Sequence, residues 1–176
     1  MIPGDMNKRQ RIDRMLRVDH AGEYGAQRIY AGQLAVLKHD ASAPEIARMA
    51  AQEQAHLARF NELINERRAR PSALLPFWHV AGYALGAGTA LLGTKAAMAC
   101  TVAVESVIAE HYQNQLDTMP ADEPELKETV AKFREEEMEH HDIGLEHGAE
   151  QAPAYEALSA VIRRGCKAAI WLAERV

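Results

Sequence analysis

Two copies of one acidic pattern could bind metal. In each copy a single glutamate is followed about 30 residues later by a Glu-x-x-His pair. This spacing puts a carboxylate and an imidazole on one face of a helix. Four carboxylates and two imidazoles are the ligands of carboxylate-bridged di-iron and di-manganese sites in four-helix bundles. The pattern therefore predicts a two-metal site for oxygen chemistry, with these candidate ligands: Glu23, Glu53 and His56 in the first copy, and Glu105, Glu137 and His140 in the second.

The ligand types narrow the choice of metal. Carboxylate and imidazole without thiolate favour iron or manganese over copper(I) or structural zinc. Cys100 and Cys166 are the two cysteines, too few for a thiolate zinc site within one chain. Two adjacent cations would also offset the desolvation cost of burying four carboxylates. We expect the glutamates of the Glu-x-x-His pairs, Glu53 and Glu137, to bridge the two ions.

The repeat extends beyond these six residues. A tyrosine, a glutamine and a leucine follow each single glutamate at identical offsets: Tyr30, Gln33 and Leu34 after Glu23, and Tyr112, Gln115 and Leu116 after Glu105. We therefore predict a two-fold pseudo-repeat of helix pairs, about 9–69 and 97–147, within a single domain that spans residues 1–176.

The chain reads as helices throughout. Apolar residues are 48% and aromatic residues 6% of the sequence, and the apolar positions recur with helical rather than alternating period. Ser42-x-x-Glu45 and Asp122-x-x-Glu125 predict capping boxes that open two of the bundle helices. A further helix is expected after Pro153. The net charge of −5 argues against a nucleic-acid partner.

Other titratable side chains near the ligands receive more ordinary interpretations. Glu135, Glu136 and Glu139 are predicted to form a solvated face. We favour an ordinary satisfied side chain over a seventh ligand for His20, and core packing over redox chemistry for Tyr30 and Tyr112. His111 is expected to lie away from the site. The candidates to hold the second nitrogen of a ligating imidazole are Asp19 and Asp142.

An apolar segment, about 73–94, separates the two halves. It contains no Asp, Glu, Lys or Arg, but Pro76, His79 and its glycines argue against a spanning helix. Basic residues flank it on both sides, as in helices that lie in a membrane interface. Two interpretations stay open: a membrane-associated helix, which we favour, and a buried connecting helix of the bundle.

Several longer stretches resemble the demethoxyubiquinone hydroxylase family of ubiquinone biosynthesis. They are RVDHAGEYGA (17–26), RIYAGQ (28–33), GYALGAGTALLG (82–93), TVAVE (101–105) and EHHDIGL (139–145). The resemblance implies an all-α, ferritin-like four-helix di-iron bundle with additional apolar and C-terminal helices. It also implies two irons per chain, held by the six candidate ligands, with Glu53 and Glu137 bridging.

The resemblance further implies an enzyme, a di-iron monooxygenase. Members of the family hydroxylate a polyprenyl methoxy-methyl-benzoquinol with dioxygen. The expected partners are this quinol, dioxygen, other ubiquinone-biosynthesis proteins and an electron donor that the sequence does not identify. The expected place is a peripheral one, on the cytoplasmic face of a bacterial inner membrane or the matrix face of the mitochondrial inner membrane.

Two alternatives share the metal pattern. A ferritin-like protein would oxidise and store iron and would need no lipid-facing surface. A ubiquinol oxidase would reduce dioxygen to water without transferring oxygen to a product.

Overall fold

A computed structural model describes residues 6–176, and within that range the chain is helical, with no strand. Six α-helices follow one another, with a short 3-10 turn at Ala149–Gln151 before the last. They are α1 (Lys8–Leu37), α2 (Ala43–Arg67), α3 (Leu75–Leu91), α4 (Thr94–Thr118), α5 (Pro124–Glu146) and α6 (Tyr155–Ala173).

Four of these helices form the bundle. α1 packs against α2 and α4 packs against α5, each pair joined by a connection of about five residues. Two apolar clusters fill the bundle on either side of its middle. One contains Met49, Met98 and Ile143, and the other contains Leu16, Phe60 and Leu126. Full burial of each such side chain stabilises the fold by about 1.5–3 kcal/mol. The all-α, ferritin-like bundle is confirmed.

The remaining helices extend the repeat. α3 follows α2 and packs on α1, and α6 follows α5 and packs on α4, so each half contributes three helices. The α1–α3 contact brings two backbones together. A Cβ on Gly86 would collide with the carbonyl oxygen of Ile29, and a Cβ on Gly32 would collide with the backbone of Tyr83. Only glycine permits this approach.

Both predicted capping boxes are wrong. The side chain of Ser42 caps no backbone amide of α2, because its hydroxyl donates to Asp40 Oδ1 at 2.7 Å. At α5 the capping position is Glu123 instead of Asp122, and the carboxylate of Asp122 contacts Lys8 Nζ at 2.7 Å. A proline lies in the first turn of both helices, where its missing N–H leaves one donor fewer to be capped. Within residues 6–176 a capping box forms at the start of α1, between Asn7 and Gln10.

The apolar segment forms α3 on the surface, not in the core. Phe77, Val80 and Leu91 are 58%, 67% and 75% exposed, respectively. This excludes the interpretation of α3 as a buried connecting helix. None of the helices within residues 6–176 is long and apolar enough to cross a membrane.

Candidate metal centre

The six predicted ligands meet in the middle of the bundle. Glu23 comes from α1, Glu105 from α4, and the two Glu-x-x-His pairs from α2 and α5. All six side chains are buried. Their ligand atoms fall into two groups, each within 4.8 Å: Glu23, Glu53, His56 and Glu137 in one, and Glu53, Glu105, Glu137 and His140 in the other. Glu53 and Glu137 belong to both groups, the arrangement expected of bridging carboxylates.

Most of the candidate ligand atoms at the site have no hydrogen-bond partner. Eight buried atoms lack a partner of hydrogen-bond geometry within residues 6–176: both carboxylate oxygens of Glu53 and of Glu137, one oxygen each of Glu23 and Glu105, and Nδ1 of His56 and of His140. Buried polar atoms normally have partners. Eight hard donors that converge without partners therefore fit a pair of metal ions, which would coordinate them.

Burial and mutual repulsion perturb the carboxylates in the metal-free protein. Burial, followed by the charge of Glu137, raises the pKa of Glu23, Glu53 and Glu105. Glu137 behaves oppositely. Burial opposes its ionisation, but the imidazoles of His140 and His56, whose Nδ1 atoms lie 3.3 and 3.2 Å from its oxygens, outweigh this and lower its pKa. Clustered acids of this kind are common at functional sites, and bound cations would remove the repulsion among them.

Two tyrosines cross between the halves of the bundle. Tyr30 of α1 donates from its hydroxyl to Glu105 Oε1 at 2.7 Å, and Tyr112 of α4 donates to Glu23 Oε1. Each half therefore orients the single glutamate of the other half. Both rings are buried, so core packing is confirmed. However, their hydroxyls also contact candidate ligands, which the sequence interpretation did not include.

The outer nitrogens of the two histidines are held across the bundle too. Nε2 of His56 contacts Glu136 Oε2 at 2.8 Å, and Nε2 of His140 contacts Gln52 Oε1 at 3.1 Å. The prediction of Glu136 as part of a solvated face is wrong, since its side chain is only 25% exposed and holds a histidine. Gln52 and Glu136 each directly precede the glutamate of a Glu-x-x-His pair. This repeated position is the signal that could have identified them.

The other nearby titratable residues lie outside the ligand groups. His20 Nε2 contacts Asn61 Oδ1 at 3.0 Å, the ordinary role predicted for it. Asp19 and Asp142, expected to hold ligating histidines, instead contact His111 and His141. His111 and Asp19 form a partly buried cluster with Gln115 beside Tyr112, so His111 lies nearer the site than predicted.

An apolar cavity of about 410 Å³ lies between α3 and α6 and reaches α1 and α4 beneath them. Its wall includes Gly22 and Val104, which directly precede Glu23 and Glu105 in the chain. Ala26 and Ile108, each three residues after one of those glutamates, also line it. Because positions three apart share a helical face, the cavity runs along the seam that carries the two single glutamates.

Exposed aromatic side chains of α3 and α6 next to this cavity pair with basic side chains of α1 and of the residues after α6. The guanidinium of Arg175 lies 3.9 Å from the centre of the Trp171 ring, and that of Arg28 lies 5.1 Å from the centre of the Tyr83 ring. Trp171 and Tyr83 are 54% and 38% exposed. These pairs join an exposed apolar surface to positive charge.

Comparison with known proteins gives consistent matches over nearly the whole chain. A family model described as "Ubiquinone biosynthesis protein COQ7" matches residues 10–173. The bovine mitochondrial NADPH-dependent 3-demethoxyubiquinone 3-hydroxylase is 59% identical over 98% of this chain and 81% of its own length. The 3-demethoxyubiquinol 3-hydroxylase of Rhodospirillum rubrum is 57% identical over 99% and 83%. The mitochondrial 5-demethoxyubiquinone hydroxylase of Saccharomyces cerevisiae is 42% identical over 94% and 78%.

Proposed function

The chain belongs to the family of the ubiquinone biosynthesis protein COQ7, and from that membership we propose that it hydroxylates demethoxyubiquinol with dioxygen at a di-iron centre. It is an enzyme of ubiquinone biosynthesis, since relatives at 42–59% identity are named as hydroxylases. These names do not favour iron storage or a ubiquinol oxidase. The observation that carries the proposal is a buried set of six ligands beside an apolar cavity.

Iron is proposed because of the donor set. Four carboxylates and two imidazoles suit iron or manganese, and the family reaction consumes dioxygen. When bound, the iron pair would supply the electrons that reduce dioxygen. Glu53 and Glu137 would hold both ions close together. Tyr30 and Tyr112 would keep Glu105 and Glu23 in position by donating hydrogen bonds to them.

The apolar cavity is the proposed quinol site. Gly22, Gly25 and Ala26 leave space along α1 for a planar ring, and apolar side chains of α3 and α6 exclude water. A positioned ring in a dry site needs little reorganisation to react. The gap between α3 and α6 opens toward the exposed apolar face, so the polyprenyl tail would leave the protein there.

Peripheral membrane contact through α3 and α6 is part of the proposal. Phe77, Val80 and Trp171 expose apolar surface, while Arg28 and Arg175 place positive charge beside aromatic rings. Such faces bind the interface of anionic membranes without crossing them. Relatives are named as mitochondrial or come from a bacterium, and the membrane face that this chain contacts stays a prediction.

The electron source is proposed to be a reduced nicotinamide nucleotide. Several relatives, including the bovine and human proteins, carry the name NADPH-dependent. The reaction requires two external electrons and two protons, because one oxygen atom enters the ring and the other becomes water. Contact with other proteins of ubiquinone biosynthesis remains a prediction.

Isotope labelling tests the reaction. Iron-loaded, reduced protein receives a demethoxyubiquinol analogue and 18O-labelled dioxygen, and the product is measured by mass spectrometry. A hydroxylated ring that carries one labelled oxygen atom is expected. Label found only in water would identify an oxidase. Oxidised iron that accumulates as mineral beside unchanged quinol would identify a storage protein.

A further inference from the structure

The two metal positions have matching ligands but different surroundings. One position has Glu23 and His56 as its own ligands, and the other has Glu105 and His140, while both share Glu53 and Glu137. We call them the His56 position and the His140 position. In a perfectly symmetric site they would bind metal equally. The side chains just outside the ligands break that symmetry.

The first difference lies behind the histidines. The outer nitrogen of His56 donates to the carboxylate of Glu136, whereas that of His140 donates to the amide oxygen of Gln52. The same amide oxygen accepts a second hydrogen bond from Arg48 at 3.0 Å. His56 is therefore backed by an anion, and His140 by a neutral group already polarised toward a cation.

The internal repeat shows that this difference resides at one position. Gln52 and Glu136 are equivalent, because each directly precedes the glutamate of its Glu-x-x-His pair. Arg48 and Lys132 are also equivalent, because each lies four residues earlier, and Lys132 Nζ lies 3.7 Å from Glu136 Oε1. Both outer partners therefore have a cation beside them. The difference is that the outer partner of His140 is an amide, whereas that of His56 is a carboxylate.

A second difference also places a carboxylate on the side of the His56 position. Gln115 donates to the carboxylate of Asp19 at 2.6 Å, while its equivalent, Gln33, donates to the Ala97 carbonyl at 3.0 Å and to the Thr101 hydroxyl. Asp19 and Thr101 each lie four residues before a single glutamate, so they are equivalent as well. The acidic member is again on the side of the His56 position, next to Glu23.

We propose that the two metal positions are inequivalent, and that a divalent cation binds the His56 position more tightly than the His140 position. The inference rests on the proposed metal set but goes beyond it by ranking the two positions. A carboxylate partner strengthens an imidazole as a ligand, and loss of such partners typically weakens metal binding about 10–100-fold. The His56 position would therefore fill first.

Two histidine variants assign the ranking. Metal-free His140→Ala retains the full His56 position, and His56→Ala retains the full His140 position. Each is titrated with Co2+ and followed by visible absorption, with far-ultraviolet circular dichroism to establish folding. We expect His140→Ala to bind its ion at least about 10-fold more tightly than His56→Ala. Equal affinities, or the reverse order, would overturn the proposal.

Exchange of the outer partners tests the cause in an otherwise intact ligand set. Glu136→Gln should weaken the tighter step about 10-fold or more, and Gln52→Glu should strengthen the weaker step. Neighbouring exposed residues provide matched controls: Glu135→Gln removes the same charge and Gln54→Glu adds the same charge, without contact with a histidine. If a control shifted affinity as much as its test variant, general charge would explain the effect and the proposal would fail.

Failure of the ranking is distinguishable from failure of the proposed function. Wild-type protein that binds no Co2+ would contradict the metal centre itself. Two ions bound with no difference between the histidine variants would overturn the ranking alone. Activity is not needed for either decision.

Discussion

The middle of the bundle and the α3/α6 face differ in the polarity of the side chains that they bury and expose. In the middle, six charged or titratable side chains are fully buried and their donor atoms converge. On the α3/α6 face, large apolar side chains are exposed instead. Each arrangement is unfavourable in water by itself. Each would become favourable with its proposed partner, metal ions in the first case and a lipid surface in the second.

The largest expected effect comes from the shared carboxylates. Glu53→Ala or Glu137→Ala should lose both metals, because each residue belongs to both ligand groups. Hydroxylation should fall by more than about 100-fold, beyond the loss that follows from an outer partner. Metal analysis by plasma mass spectrometry and a turnover assay measure the two quantities. Two metals per chain retained in both variants would refute the bridging role.

Metal removal should lower the melting temperature, Tm, by a large amount that depends on pH. At pH 7.5, metal at about 1,000 times its Kd adds about 4 kcal/mol of stability, or roughly 8–16 °C in Tm for a chain of this size. The metal-free Tm should rise on acidification to pH 5.5. In the unfolded chain these carboxyl groups ionise at their ordinary pKa of 4.5. The folded protein raises the pKa of Glu23, Glu53 and Glu105, so each of them destabilises the fold above pH 4.5, and the destabilisation grows as pH rises toward the folded pKa.

His56 and Glu137 also affect how the stability of the metal-free protein depends on pH. The pKa of His56 is raised because Glu137 and Glu23 outweigh burial, so its contribution also declines as pH rises above 6.5. The pKa of Glu137 is lowered, so its contribution is constant above 4.5 and does not change in this window. Protons compete with metal for the ligands, and the Tm gap should narrow toward pH 5.5. Calorimetry that showed a constant gap would contradict this account.

The smallest effect concerns the α3/α6 face. Phe77→Glu with Val80→Glu should weaken binding to anionic liposomes at least about 10-fold, since each buried apolar side chain contributes about 1.5–3 kcal/mol. Iron content should stay unchanged, because neither residue lines the metal site. Flotation with liposomes measures binding. Glu128→Gln with Glu150→Gln changes two exposed side chains away from the face and serves as the control, in which binding should not fall. Undiminished binding would remove the face from the proposal.

The sequence predicted the ligands well because their geometry is local. Glu-x-x-His spacing is set within one turn of one helix, and the same spacing occurs in both halves of the repeat. Contacts across the bundle were missed. The bonds of Glu136 to His56 and of Tyr112 to Glu23 depend on how α2 meets α5 and how α1 meets α4, which no single helix specifies.

The starts of α2 and α5 were predicted to within one residue, but their side-chain caps were wrong for a related reason. Ser42 and Asp122 fit a capping pattern by type, but neighbouring side chains offered alternatives: Asp40 accepts the hydroxyl of Ser42, and Lys8 contacts the carboxylate of Asp122. Local hydrogen bonds of this kind compete with caps. The sequence favoured a membrane-associated α3 but did not exclude a core helix, because an apolar sequence suits both a core and a lipid surface.

The crossed tyrosines have a consequence for synthesis of the chain. Tyr30 reaches Glu105 and Tyr112 reaches Glu23, so each hairpin by itself lacks the tyrosine hydroxyl that holds its single glutamate. A nascent chain that has emerged only as far as α3 presents three of the six ligands and lacks one bridge. Free iron would be held poorly at that stage, and its reaction with oxygen near an unfinished polypeptide would be limited. Tight capture of metal would therefore wait until the second hairpin has docked.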